Sequence, residues 1–224
     1  MTNLPQPTNA AADLAAITAS LVGDVLTCFL PGGGTISRSI EIFQNRKIEA
    51  ARKMLFDEVA AGNIQLLRKP EYEALIPNVF AYFDAARSGE YEHNMKILAR
   101  LLVEQVVSEE PDSMVVKRSA RRLEGMGIAD LGFLTTLASI YDAKRTSQEF
   151  DGYHLFADDS DVVRYEAREY VSPEQSINSK FSDAASRGLL FLGGDPRIVG
   201  GQVYYPTDSF YEIVRAASAV ESNI

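Results

Sequence analysis

Four cations fall within six residues. Lys117, Arg118, Arg121 and Arg122 stand at i, i+1, i+4 and i+5, a spacing that gathers them into one stripe if the segment is helical. Such a stripe suits a phosphate backbone, or it pairs with acidic segments elsewhere in the chain. A second group lies downstream: Gln175, Asn178, Ser179, Lys180, Arg187 and Arg197. Gln and Asn side chains can read adenine edges. However, Lys180 stands among Glu174 and Asp183, so the group forms no cationic face. Together these residues are the candidates for contact with nucleic acid or a protein partner.

Other chemistry is weaker. Gly32-Gly33-Gly34-Thr35 lacks the Lys that a phosphate-binding P-loop needs and reads as a turn between helices. Gly193-Gly194-Asp195-Pro196 is a turn signal and does not open a helix, so it is no dinucleotide fingerprint. No Gly-x-Ser-x-Gly nucleophile elbow occurs. His93 reads as a hydrogen-bonded boundary residue. His154 lies among Asp151, Asp158, Asp159 and Asp161, a run that does not match a calcium-binding EF-hand loop and reads as a solvated acidic loop. Cys28 reads as a small core residue. The sequence therefore predicts no catalytic residue, no metal ligand, no cofactor and no small-molecule substrate.

The 224 residues are 46% hydrophobic and 24% charged, the make-up of a globular chain with a substantial core. The net charge of −9 argues against general nucleic-acid binding. One Cys excludes an internal disulfide framework and any multi-Cys zinc site, and two His argue against a His-based metal centre. No basic residue precedes Arg38, so no signal or transit peptide is expected, and the lone Cys28 fits a reducing cytoplasm. Residues 14–30 are the most apolar stretch, but they are short and too polar for a good membrane span.

The elements that would position these residues are mostly helices. Residues 1–9 are expected to be a disordered tail. Leu14, Ile17, Leu21, Val25 and Phe29 mark a first helix that ends at Pro31-Gly32-Gly33-Gly34. A second begins near Ser37, with Ile40, Phe43, Ile48, Ala51, Leu55 and Val59 inward and Arg38, Arg46, Lys47, Arg52 and Lys53 outward. This hairpin is expected to be core, a subunit interface, or a surface for an anionic membrane. Helices follow at 71–87, with Pro77 near the middle, from Tyr91 through Met95, Leu98, Leu102 and Val106, from Asp112 to Leu123, and at 128–143. Residues 143–161 read as a loop with a short helix, and 162–171 as a weaker helix. Ser172-Pro173-Glu174-Gln175 is a capping box opening a helix with Ile177, Phe181 and Ala185 on one stripe. Leu189 to Leu192 and Gln202 to Tyr205 form a hairpin around a glycine-rich turn, and Pro206-Thr207-Asp208 opens a last helix.

The order helix, helix, helix, strand, turn, strand, helix is that of a winged helix. "Arg187-Gly188-Leu189-Leu190 … Val203-Tyr204-Tyr205-Pro206-Thr207-Asp208" resembles the end of many bacterial winged-helix domains. Further upstream come "Ala81-Tyr82-Phe83-Asp84-Ala85-Ala86-Arg87-Ser88-Gly89-Glu90", "Asn94-Met95-Lys96-Ile97-Leu98-Ala99-Arg100-Leu101-Leu102" and "Arg122-Leu123-Glu124-Gly125-Met126-Gly127-Ile128-Ala129-Asp130-Leu131". That succession is similar to bacterial and prophage abortive-infection alpha proteins. The resemblance implies a role in phage defence and supplies no catalytic residues. The expected fold is mainly α: a helical domain over 10–125 and a winged-helix-like domain over 126–224. The leading expectation is a non-enzymatic interaction protein with a protein partner or a second copy. The alternatives are a DNA-binding regulator and a membrane-active effector.

Overall fold

Apolar residues at steps of three and four dominate the chain, and helices dominate the computed structural model. It describes residues 35–61, 72–108, 110–146, 155–156, 170, 177–193 and 203–221. The helices are α1 (Thr35–Ala61), α2 (Tyr72–Ser88), α3 (Glu92–Val107), α4 (Val115–Leu123), α5 (Ile128–Thr146), α6 (Ile177–Ser186) and α7 (Asp208–Glu221). The strands are β1 (Leu155–Phe156), β2 (Leu190–Gly193) and β3 (Val203–Pro206). The chain divides into two compact units, residues 1–120 and 121–224. The division falls inside α4, a few residues before the Gly125-Met126-Gly127 break at which the sequence places it.

In the first unit α1, α2 and α3 pack on one another. Ile48, Ala51, Leu55 and Val59 form the buried stripe of α1; Leu75, Val79, Tyr82 and Phe83 meet it from α2, and Met95, Leu98, Leu101 and Leu102 from α3. The Tyr82 hydroxyl donates to the Ala51 carbonyl at 2.8 Å, and its burial pushes the phenol above its ordinary range. Pro77 lies inside α2. One expectation fails here. Phe43 is 57% exposed, because the five-residue step to Ile48 carries it off the buried face. Tyr91 is exposed at the N-cap of α3, where it stacks on His93.

The second unit is held by aromatic contacts. Phe181 of α6 meets Phe133 of α5 edge-on and stacks on Tyr204 of β3 at 4.7 Å. The Tyr141 hydroxyl of α5 donates to the Tyr204 carbonyl at 3.0 Å. The strands form an antiparallel sheet in the order β1-β3-β2, with Leu155 opposite Tyr204 and Phe191 opposite Tyr205. Gly188 closes α6 at φ +70°: its N–H bonds the Ala185 carbonyl, and the next N–H, of Leu189, bonds that of Ala184. Thr207 then clasps this turn. Its N–H donates to the Leu189 carbonyl, its hydroxyl lies 3.0 Å from both the Gly188 and Leu189 carbonyls, and its Oγ accepts the Phe210 N–H as the cap of α7. Phe210, Ile213, Val214 and Ala217 are buried along α7.

The sequence predicts a loop over 143–161, whereas Leu155–Phe156 within it pairs with β3 as strand β1. Several expectations lie outside the described residues: the tail 1–9; the first helix with Leu14, Ile17, Leu21, Val25 and Phe29; His154 and the Asp151 to Asp161 run; the helix over 162–171, apart from Tyr170; the capping box with Gln175; and the turn with Arg197.

Candidate functional site

Helix α4 starts where Asp112 turns the chain. The Asp112 carboxylate accepts the Met114 N–H and pairs with Arg118. The Arg118 hydrogen bond is the largest cause holding that carboxyl below its ordinary range, followed by the Met114 N–H. From α2, buried Asn78 donates to the Asp112 carbonyl at 2.7 Å and accepts the Val116 N–H at 3.1 Å. Val115, Val116, Ser119 and Leu123 face inward, so Lys117, Arg118 and Arg121 face out. Lys117 and Arg121 are exposed, and no ion pair to either is present among the described residues. Arg118 is engaged by Asp112. Arg122 is half-buried, and its Nε has no hydrogen-bond partner among the described residues.

The second group of candidates behaves differently. Lys180 is buried within the second unit. It is 9% exposed, and its Nζ lies 2.5 Å from an Asp130 carboxylate oxygen in α5. Its place between Ile177 and Phe181 sets it on the buried stripe of α6, where only a carboxylate partner makes an ammonium tolerable. Burial would raise the Asp130 carboxyl. The Lys180 hydrogen bond, the Gly127 N–H and the charges of Lys180 and Arg187 outweigh burial and hold it below the ordinary range. Arg187 is also committed internally. Its Nε donates to Asp183, and Nη1 donates to the Arg122 and Glu124 carbonyls at 2.9 and 2.8 Å, satisfying the end of α4. What α6 shows to solvent is Asn178, Ser179, Ser182, Asp183 and Ser186, with no cation.

The sheet offers the opposite character. β2 occupies an edge of the described sheet, and its sequence Leu-Phe-Leu-Gly holds no charge. Phe191 is 64% exposed and Leu192 49% exposed, with the Tyr205 ring beside Phe191 at 6.5 Å. Exposed, uncharged edge strands are surfaces that natural proteins ordinarily blunt. The sequence reading missed this pair. The signal was present: four successive apolar residues, Leu189 to Leu192, cannot all face one core when strand side chains alternate.

An open groove of about 410 Å³ lies between α5 and α7, lined by Ala138, Asp142, Asp208, Tyr211, Glu212, Val214 and Arg215. Among the described residues no three His, Cys, Asp or Glu side chains come together as a metal site. No single described helix is long and apolar enough to cross a membrane. Comparison with family models, with curated proteins and with solved structures finds no match to this chain.

Proposed function

We propose that this chain is a non-enzymatic bacterial interaction protein, and that residues 121–224 are a winged-helix module used for protein contact. The module reading is supported by the strand order β1-β3-β2 and by the sequence of elements α5, β1, α6, β2, β3. One observation carries the choice of partner. The helix that would enter a DNA groove presents Asn178, Ser179, Ser182 and Asp183, while both of its nearby cations, Lys180 and Arg187, are spent on internal partners. Phosphate affinity needs cations that are free to displace counterions. The neighbouring edge instead offers Phe191 and Leu192, which suit an apolar partner segment or an added strand. The likeness of residues 81–131 to abortive-infection alpha proteins supplies the biological setting, phage defence or a prophage.

A second reading, nucleic-acid contact, is favoured by exposed Lys117 and Arg121 on α4. Titration of a fluorescent duplex at low salt separates the two. The first reading expects no saturable binding by the full chain. Saturable, salt-sensitive binding that is lost in the Lys117→Ala/Arg121→Ala variant would overturn it in favour of the second.

A further inference from the structure

Helix α1 is fixed in rotation by its buried stripe, Ile48, Ala51, Leu55 and Val59. Its other side is therefore also fixed. Phe43, at 57% exposed, lies there with Lys47, whose Nζ stands 5.6 Å from the Phe43 ring. Arg46, Ala50 and Lys53 are exposed beside them. The acids on α1 offset this patch only in part. Glu49 lies 3.8 Å from Arg52, and Glu58 is held by Arg100 at 2.9 Å. Two exposed carboxylates share this side, Glu49 between Arg46 and Lys53 and Asp57 a turn beyond Lys53, against Arg46, Lys47 and Lys53 with Arg52 flanking. In a chain of net charge −9, a local excess of cations around an exposed aromatic ring selects an anionic and partly apolar partner. Upstream, separated from α1 only by Pro31-Gly32-Gly33-Gly34, the sequence carries its most apolar stretch, residues 14–30.

We propose that this outer face of α1 docks on an anionic lipid bilayer, with the Phe43 ring among the headgroups and Arg46, Lys47 and Lys53 against their phosphates. A bilayer surface meets both demands at once, since its boundary region accepts an aromatic ring and its headgroups supply negative charge. The surface is separate from the β2 edge proposed above for protein contact, so either can fail without the other.

The chain has no tryptophan, so Phe43→Trp installs a single reporter at the centre of the patch. In the full chain the reporter is expected to emit as a water-exposed indole. Its emission should shift to the blue on addition of phosphatidylserine-containing vesicles and not with pure phosphatidylcholine vesicles, and the shift should fade with salt. Adding Arg46→Glu, Lys47→Glu and Lys53→Glu should weaken vesicle partitioning by tenfold or more. Circular dichroism should be unchanged, because these side chains face solvent. Four results would overturn the proposal: no shift with anionic vesicles, an equal shift with neutral ones, partitioning unchanged in the charge-reversed variant, or a blue-shifted emission before any lipid is added. If that last signal depends on protein concentration, a second copy covers the face; if it does not, the chain covers it itself.

Discussion

Lys180 and Asp130 show how one side chain changes the functional reading. Lys180 is a candidate contact in the sequence and a buried partner of Asp130 in the fold. Fifty residues separate the two, so no local pattern announces the pair. Asn78 is similar: its buried amide holds the start of α4 through groups more than thirty residues away. The Asp130 pair has a consequence for pH. An unfolded Asp titrates near about 3.9, and the folded Asp130 titrates lower. Its stabilising contribution is therefore complete above the unfolded value and is lost as pH falls through the folded one. Asp130→Asn should lower the melting temperature at neutral pH, and the gap to the parent protein should close as pH falls below the ordinary Asp range. A gap that stays constant into acid would contradict this role of the charge.

At the scale of elements, much of the helical content was legible. Met95, Leu98 and Leu102 at steps of three and four mark α3, and Leu131, Leu134 and Leu137 mark α5; all are buried. The Thr207 cap of α7 was readable from Pro206-Thr207-Asp208. Strand β1 was not, because a two-residue strand owes its form to pairing with β3 rather than to its own residues. The exposure of Phe43 and of Phe191 was missed for a related reason: periodicity locates a face, while the boundary of burial depends on what packs against it. The turn after α6 gives the sharpest element-scale test. An alanine at 188 would meet Arg122 no closer than 3.8 Å, so it carries only the strain of φ +70°, about 1–2 kcal/mol. Thr207→Val removes the α7 cap, for about 1 kcal/mol. Urea unfolding should show both losses. A Gly188→Ala variant as stable as the parent would mean that the left-handed turn does not persist in solution.

For the whole molecule, the charge of −9 matters less than where the cations stand. α1 and α4 present them outward, whereas those of the α6 region are consumed within the second unit. That distribution leaves an uncharged edge strand as the feature of the second unit that supports the proposed protein contact. The most direct measurement replaces Phe191 with p-benzoylphenylalanine in the full chain and irradiates it in a bacterial host. Protein contact through this edge predicts a discrete adduct that survives nuclease, disappears with protease and weakens when Leu192→Ser is added. A nuclease-sensitive adduct, or no adduct from position 191, would contradict it.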